Sequence, residues 1–404
     1  MTSPKNDTPR FAAALSTLSD TREAAREAGR KAKADLGATP NLALVFGSID
    51  HREDFATLAD ILHRELGTDC LLGCTGESIV CNAQEIEGSS ALAVWVAHLP
   101  GVTLLPMHLS FDMTADGGSF IGWPDELGDP WPSDASLLLL AEPFSFPTDL
   151  LLERLERDQP PIPIIGGMAS GGRSPGQHRL LLAGRAFESG AVAVLLRGPI
   201  KLRSVVSQGC RPIGRPFVVT KAESNVIREL GGRPPLEQFK QLFETLTADE
   251  QQMARQGLHL GQVINEYQEQ FGRGDFLVRN VQGADSESGA IAIGDVVRVG
   301  RTVQFHVRDA RTADEDLNTL LAAVKQDSST DCLGALVFTC NGRGTRLFDE
   351  PHHDAQALDR CWPKLPVAGF FAQGEIGPVG GKNFLHGFTA SIALFESPQV
   401  PARL

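Results

Sequence analysis

The chain has 404 residues, which exceeds the ~100–200 residues usual for one domain. Hydrophobic residues make up 42% and charged residues 22%, which is typical of a globular protein and excludes a disordered, fibrous or coiled-coil chain. The net charge is −13 and no cluster of lysine or arginine is present, so we expect no nucleic-acid partner.

The first residues are polar and lack the apolar core of a secretory signal. Apolar runs such as residues 137–141 and 191–196 are far shorter than a membrane span. Seven cysteines, scattered from Cys70 to Cys361, fit a reducing compartment better than a disulfide framework. We therefore expect a cytoplasmic protein without a membrane span.

Residues 11–36 are rich in Ala, Arg and Glu, and they carry Phe11, Leu15 and Leu18 at helical spacing. The pattern stops at Gly37, a residue type that commonly follows the end of a helix. It predicts one amphipathic helix and separates residues 1–36 from the rest of the chain. Such a helix packs on the first domain or docks a partner.

A repeated unit follows this segment and occurs three times. Each copy has an apolar strand, a helix, a second short strand that ends in a glycine-rich loop, and a closing strand. The first and closing strands are predicted at residues 41–46 and 91–96 in the first copy. They are predicted at residues 136–141 and 191–196 in the second copy, and at residues 334–340 and 386–395 in the third. About thirty residues separate each first strand from its loop, the length of a βαβ crossover between parallel strands.

The glycine-rich loops, at residues 73–77, 166–172 and 369–389, are expected at the carboxyl ends of the second strands. Open α/β sheets bind ligands at such ends, because loops converge there and glycine lets backbone amides approach a ligand. Taken singly, each loop is equally compatible with a tight turn that has no functional role.

The second half differs in character from residue 223 onward, with two consecutive prolines at Pro234 and Pro235 and a capping-box pattern at residues 247–250. Strands are predicted at residues 275–279, 290–293 and 302–307, and a helix at residues 314–325. The fold class is therefore α/β (mixed α+β), with mixed sheets built from repeated βαβ-type units and helices covering the sheets. We expect two domains, residues 37–224 and 225–404.

Recognisable catalytic and metal-binding motifs are absent from the sequence. There is no phosphate-binding loop, no dinucleotide-binding glycine motif and no H-E-x-x-H. Ser170 is one place out of register with a nucleophile elbow, and the cysteine spacings fit neither zinc nor iron–sulfur sites. We assign no catalytic residue and no metal ligand.

Polar and glycine residues beside the strand ends are the candidate ligand-binding residues. Arg343 has the chemistry to bind an oxyanion in a bidentate manner, although a solvated arginine in a surface turn is an equal alternative. The candidates are Cys74, Thr75, Glu77, Gly167, Ser170, Asn341, Arg343, Gly374, Glu375, Asn383, His386 and Thr389.

These segments resemble the markers of the FIST family. Residues 71–77 (LLGCTGE) and 164–170 (IIGGMAS) are similar to the two glycine-centred strand ends of the FIST N domain. Similar to FIST C markers are residues 275–280 (DFLVRN), 303–309 (VQFHVRD), 340–344 (CNGRG) and 369–378 (GFFAQGEIGP), with Asn383, His386 and Thr389. The resemblance covers almost the whole chain after residue 37.

The resemblance implies a sensory module of signal transduction that binds a small ligand, such as an amino acid or a related metabolite, without an established catalytic reaction. Family members usually carry or adjoin an output module, and we expect none beside the two domains in this sequence. We therefore expect a separate signalling partner.

Two alternatives remain open. Some FIST-domain proteins resemble haem-based nitric-oxide sensors, so His386, His306 or His98 is a candidate axial haem ligand; otherwise no cofactor is expected. The other alternative is a thiol-dependent enzyme acting on a small metabolite. Its reacting groups would be Cys74 or Cys340, with Glu77, Glu375 or His386 as acid or base.

Overall fold

The computed structural model describes residues 8–114, 117–327 and 331–397. The helices in these ranges are α1 (Thr21–Leu36), α2 (Phe55–Leu66), α3 (Thr148–Asp158), α4 (Pro235–Phe243), α5 (Ala248–Gln256), α6 (Ala310–Asp327) and α7 (His353–Cys361). Short 3-10 turns lie at Ile49–Asp54, Asp125–Leu127 and Gly344–Arg346. Among the described helices, none has the length and apolar character needed to cross a membrane.

The chain forms two compact units. The sheet unit is the described part of Met1–Val206, Asn318–Leu385 and Thr389–Leu404, and the barrel unit is Ser207–Leu317 with His386–Phe388. This division does not coincide with the boundary near residue 225 expected from the sequence. The third copy of the repeat lies in the same compact unit as the first two, so most of the chain after residue 317 returns to the sheet unit.

Three sheets are formed by the described residues of the sheet unit, and the last residues of β14 and β24 are assigned to the barrel unit. Sheet one has the strand order β1 (Arg10–Ser16), β6 (Leu92–His98), β2 (Leu42–Ser48), β3 (Leu71–Gly76), β11 (Leu180–Leu182), β12 (Arg185–Phe187). Sheet two has the order β8 (Gly117–Ile121), β7 (Thr103–Thr114), β13 (Ala191–Arg197), β9 (Ala135–Ala141), β10 (Ile164–Met168), β23 (Glu375–Val379), β24 (Lys382–His386). Sheet three has the order β14 (Lys201–Gln208), β25 (Thr389–Glu396), β21 (Cys332–Cys340), β22 (Val367–Ala372), β4 (Ile79–Cys81), β5 (Gln84–Ile86).

The three βαβ units predicted from the repeat are confirmed. β2 pairs in parallel with β3, β9 with β10, and β21 with β22, and the intervening helices are α2, α3 and α7. The closing strands β6, β13 and β25 each pair antiparallel with the first strand of their own unit. The paired first and second strands are almost wholly buried, which explains why they are continuous apolar runs.

After each glycine-rich loop the chain leaves its own sheet and joins another. The β4–β5 hairpin that follows β3 pairs with β22 of sheet three. The β11–β12 hairpin that follows β10 pairs with β3 of sheet one, and β23, which follows β22, pairs with β10 of sheet two. Because this exchange is cyclic, the three loops are the crossing points of the three sheets.

One hydrophobic core joins these sheets. Phe46 of β2 and Phe370 of β22 have ring centroids 5.2 Å apart, and Phe338 of β21 lies 5.8 Å from Phe370. All three side chains are fully buried, in a cluster to which sheet two contributes Leu138 and Ile165. Burial of each phenylalanine contributes roughly 1.5–3 kcal/mol. The strands that lead into the three loops are therefore held together by one shared core.

The prediction of one helix over residues 11–36 is wrong in its first part. Arg10–Ser16 form β1, which pairs antiparallel with β6. Phe11 and Leu15 pack on one core cluster while Ala12 packs on another, so the segment alternates between two faces as a strand does. Helix α1 begins only at Thr21, and its expected end at Gly37 is confirmed by a left-handed cap. Residues 1–7 lie outside the described residues.

The barrel unit has a closed barrel that the sequence did not predict. Its strand order is β15 (Cys210–Glu223), β16 (Val226–Leu230), β19 (Ile291–Ile293), β18 (Phe276–Ala284), β17 (Leu258–Val263), β20 (Thr302–Arg308). The strands expected at residues 275–279, 290–293 and 302–307 are present as β18, β19 and β20. The capping box of Thr247 and Glu250 is also confirmed, at the start of α5.

Candidate functional site

The glycine-rich loops that follow β3, β10 and β22 meet and are joined by hydrogen bonds. The Ser170 amide donates to the Thr75 carbonyl at 3.1 Å, and the Ser170 hydroxyl accepts from the Glu77 amide at 2.8 Å. The same hydroxyl donates to the carbonyl of Phe371. One serine of the second loop thus links the first loop to the third, which confirms that the loops converge.

Three equivalent glycines allow the strands beneath the loops to approach closely. A Cβ atom on any of them would lie 1.8–2.2 Å from a backbone carbonyl oxygen of the neighbouring first strand. The pairs are Gly73 with Val45, Gly166 with Leu139, and Gly369 with Val337, and each pair is in direct register. The repeat is therefore preserved at the level of single contacts.

Several of the candidates lie inside this junction. Cys74 is fully buried, and burial raises the pKa of its thiol well above the usual value. A neutral thiol is a poor nucleophile, so this position suits packing better than covalent catalysis. The Thr75 hydroxyl accepts a hydrogen bond from the Arg179 amide at 3.1 Å. Gly167 and Gly374 are buried, and a side chain added at either position would contact its neighbours closely.

Glu77 is the candidate of the first loop that reaches the surface. Its carboxylate forms an ion pair with Arg346, and the two side chains are 29% and 58% exposed. The Arg346 guanidinium also donates to the Asn341 carbonyl at 2.7 Å. The hydrogen bond to Glu77 raises the pKa of Arg346 above its usual range. A carboxylate and a guanidinium therefore lie side by side where the loops cross.

Arg346 was not among the residues selected from the sequence. It lies in the 3-10 turn Gly344–Arg346, immediately after the glycine-rich segment that contains Arg343. The signal available was a second arginine in the same strand-end loop. The sequence alone does not show which of the two arginines faces the solvent.

The expected ligand role of Arg343 is corrected by its surroundings. Its guanidinium is fully buried and forms two hydrogen bonds to Asp354, with Nε–Oδ2 at 2.8 Å and Nη2–Oδ1 at 2.7 Å. The ring of Phe348 lies 5.2 Å from the guanidinium carbon. A guanidinium that neutralises a buried carboxylate cannot turn to a ligand without exposing an unpaired charge.

Glu85 of β5 completes this buried group. Its Oε1 accepts from the Ala355 amide at 2.9 Å, at the start of α7. Burial, together with the nearby charge of Asp354, raises the pKa of Glu85 to about 8. Among the described residues, neither Glu85 Oε2 nor Arg343 Nη1 has a hydrogen-bond partner. No sequence motif pointed to Glu85 or Asp354.

The C-terminal candidates Glu375, Thr389 and Asn383 connect strands of the sheet unit. The buried carboxylate of Glu375 accepts from the Thr389 amide at 3.1 Å and from its hydroxyl at 2.8 Å. The Asn383 amide accepts from the Ile164 amide at 2.9 Å and donates to the Ile162 carbonyl at 2.8 Å. Each side chain is thus used in joining the hairpin or the closing strand to its neighbours.

The histidines considered as haem ligands have separate locations. His386 is buried in the barrel unit, and His98 is hydrogen-bonded to the Thr39 carbonyl at 2.8 Å in the sheet unit. In the barrel, His306 lies opposite His259 across β17 and β20, and burial lowers the pKa of both imidazoles to about 4. Within the described ranges, no group of three or more His, Cys, Asp or Glu side chains is arranged to hold a metal ion.

These features define a mixed α/β protein in which three repeated βαβ units share one sheet unit and a closed barrel is inserted into the chain. Residues 41–233 match the model of the FIST N domain, and residues 235–378 match that of the FIST C domain. The chain belongs to the FIST family, whose domains are sensory domains of signal transduction. The resemblance found in the sequence is thereby confirmed.

Similar proteins occur in mycobacteria and in a plant. The chain is 44% identical to "Uncharacterized protein Rv0628c" of Mycobacterium tuberculosis, over 96% of this chain and 99% of the relative. It is 41% identical to "Uncharacterized protein Mb0898c" of Mycobacterium bovis, over 96% and 98% of the two chains. A shorter similarity, 26% over 105 residues, is to "F-box/LRR-repeat protein At5g63520" of Arabidopsis thaliana, covering 25% of this chain and 20% of the plant protein.

Proposed function

We propose that this chain is a cytoplasmic sensory protein that binds an amino acid, or a similar small zwitterionic metabolite, between Glu77 and Arg346. It passes the signal to a separate partner protein. The observation that carries the proposal is the partly exposed ion pair of these two side chains at the crossing of the glycine-rich loops.

The chemistry of the pair fits a zwitterion. A carboxylate accepts hydrogen bonds from an α-ammonium group, and a guanidinium donates two parallel hydrogen bonds to an α-carboxylate. An exposed ion pair contributes only about 0–1 kcal/mol to stability, so a ligand that separates Glu77 from Arg346 has little to overcome. Binding then exchanges the Glu77–Arg346 ion pair for two others, one between Glu77 and the ammonium group and one between Arg346 and the carboxylate of the ligand.

The surrounding backbone also fits a small ligand. Gly171 and Gly172, in the second glycine-rich loop, are half-buried. Gly171 lies beside Glu77 and has a φ of +90°, which a residue with a side chain rarely adopts. The backbone carbonyl of Asn341 already accepts a hydrogen bond from Arg346. Of the candidates from the sequence, Glu77 and Asn341 thus keep positions suited to ligand contact, and Arg346 takes the place foreseen for Arg343.

The test is a thermal-shift and calorimetry screen of amino acids against the full-length protein. Each amino acid is paired with an analogue that lacks the ammonium group and one that lacks the carboxylate. A ligand at 100 times its Kd should stabilise the protein by about 2.7 kcal/mol, whereas both analogues should bind much more weakly.

Variants locate the site. Arg346→Gln and Glu77→Gln should each abolish the response, whereas Arg228→Gln, which removes an exposed ion pair with Glu223 in the barrel unit, should not. Equal binding by wild type and Arg346→Gln would contradict the proposal. Haemin belongs in the same screen, since a Soret shift would support the haem alternative.

A further inference from the structure

A groove of 590 Å³ is lined by the end of β8, the segment that joins β8 to β9, and α3. Its apolar wall includes Phe120, Trp123, Trp131 and Leu155. Two of the four tryptophans of the chain are therefore placed in one surface groove. The groove lies within the range matched by the FIST N domain, but the proposed ligand site at Glu77 and Arg346 does not involve this surface.

The groove is extended. A second, much smaller and more enclosed recess of about 30 Å³ adjoins it and shares Trp131, Leu155 and Gln159 with it. One face of α3 separates the two, because Leu155 and Gln159 are four residues apart at its C-terminal end. The groove therefore continues into a small recess past the end of α3, so its long dimension suits an elongated occupant.

The aromatic rings stand at steep angles to one another. The ring centroids of Trp123 and Trp131 are 5.2 Å apart with planes at 61°, and Phe120 lies 5.3 Å from Phe146 at 59°. Tilted rings leave ridges and slots instead of one flat platform. Proline-rich segments in the polyproline II conformation dock in such aromatic-lined grooves, and they lose little conformational entropy in doing so.

Charge favours a basic occupant. The groove is lined by three carboxylates, of Asp125, Asp129 and Asp158, and by one guanidinium, of Arg154. That guanidinium lies over the Phe120 ring, with its carbon 5.4 Å from the centroid, and Asp158 is paired with Arg157 at 2.7 Å. Asp125 is exposed at the rim, so it is placed to attract a cation without being desolvated first.

We infer that this groove binds a proline-rich segment with an adjacent arginine or lysine, carried by a partner protein. The prolines lie in the slots beside Trp123 and Trp131, and the basic residue lies against Asp125 and Asp129. The inference rests on the part of the proposed function that gives this chain a separate partner, but not on the identity of the metabolite.

The experiment uses fluorescein-labelled ten-residue peptides that contain two Pro-x-x-Pro repeats and a terminal arginine. Anisotropy measures binding to the full-length protein, and intrinsic tryptophan fluorescence reports contact with the groove. Matched peptides replace the prolines by alanine or the arginine by glutamate. Both replacements should weaken binding at least tenfold, and raised salt should weaken binding of the arginine peptide.

Two kinds of variant test the site. Trp123→Ala should raise the Kd at least tenfold, while Trp362→Phe, outside the groove, should leave it unchanged. Asp125→Lys is a surface change that should also raise the Kd and reduce the salt dependence, and it keeps the test valid if Trp123→Ala fails to fold. Arg346→Gln should bind the peptide as wild type does, which separates this result from failure of the proposed ligand site.

The inference is overturned if no proline-rich peptide binds, or if binding survives both Trp123→Ala and Asp125→Lys. It is also overturned if maltohexaose or cellohexaose binds at Trp123 and the peptides do not, since tryptophans flanked by carboxylates also suit sugars.

Discussion

The guanidinium of Arg343 and the carboxylate of Asp354 form a bidentate pair inside the sheet unit, with N–O distances of 2.8 and 2.7 Å. Asp354 also accepts a hydrogen bond from the Thr339 hydroxyl at 2.5 Å. The pair ties the start of α7 to the turn that carries Arg346. It therefore holds the turn from which Arg346 reaches Glu77.

Replacing one partner of this pair should be strongly destabilising. Asp354→Asn leaves the buried guanidinium without its counter-charge, and we expect a loss of about 3–5 kcal/mol in the free energy of unfolding. Urea denaturation measures it. Arg157→Gln, which removes an ion pair whose arginine is 70% exposed, is the control and should cost at most about 1 kcal/mol. Similar costs for both variants would show that burial adds nothing to the Arg343 pair.

Glu85 should make stability fall with rising pH. Its pKa is raised from 4.5 to about 8, because burial and the charge of Asp354 disfavour its ionised form. Between these two values the folded protein keeps a proton that the unfolded chain has lost, so the free energy of unfolding decreases across this window. Above the higher value the contribution of Glu85 is constant.

Glu85→Gln should remove this slope, and chemical denaturation at a series of pH values measures it. Glu223→Gln, at a residue that is 73% exposed, is the matched control and should retain the slope of the wild type. A slope that persists unchanged in Glu85→Gln would mean that Glu85 is ionised in the folded protein at neutral pH.

The repeated units were predictable because their signal is local. An apolar run, a helical face and a glycine-rich loop recur at the same spacing three times, and the structure has the corresponding parallel strands. The exchange of hairpins between sheets was not predictable, since β4 pairs with β22 almost three hundred positions away in the sequence. Hydrophobic periodicity specifies that a strand has a buried face, not which strand lies beside it.

The convergence of the glycine-rich loops was predictable, but their individual contacts were not. Glycines marked the strand ends, and those ends do converge at Ser170. Arg343 and Arg346 look alike in sequence, yet one is fully buried and the other is exposed. The difference depends on Asp354, whose pairing is set by the tertiary packing of α7 and is invisible in local sequence.

The close strand contacts predict that a single methyl group will be costly at the glycines of the repeat. In Gly166→Ala the new Cβ would lie 1.8 Å from the Leu139 carbonyl oxygen, so the parallel pair of β9 and β10 must separate. We expect a loss of about 2–4 kcal/mol or more, as for other overpacked and strained core sites. Gly283→Ala is the matched control, since no neighbour lies within 4 Å of its added Cβ. Unfolding curves that are superimposable for the two variants would contradict the close contact.

Cysteine labelling tests the thiol-enzyme alternative. Cys74 is fully buried with a raised thiol pKa, and burial raises the pKa of the partly exposed Cys332 to about 12. Because the thiolate is the reacting form, iodoacetamide at about neutral pH should label neither at an appreciable rate in the folded protein. Cys361, the partly exposed cysteine at the end of α7, should be labelled first, and peptide mass spectrometry measures the order. Labelling of Cys74 ahead of Cys361 would mean that the loop junction opens and presents an activated thiol, which would favour covalent chemistry at the crossing of the sheets over ligand sensing alone.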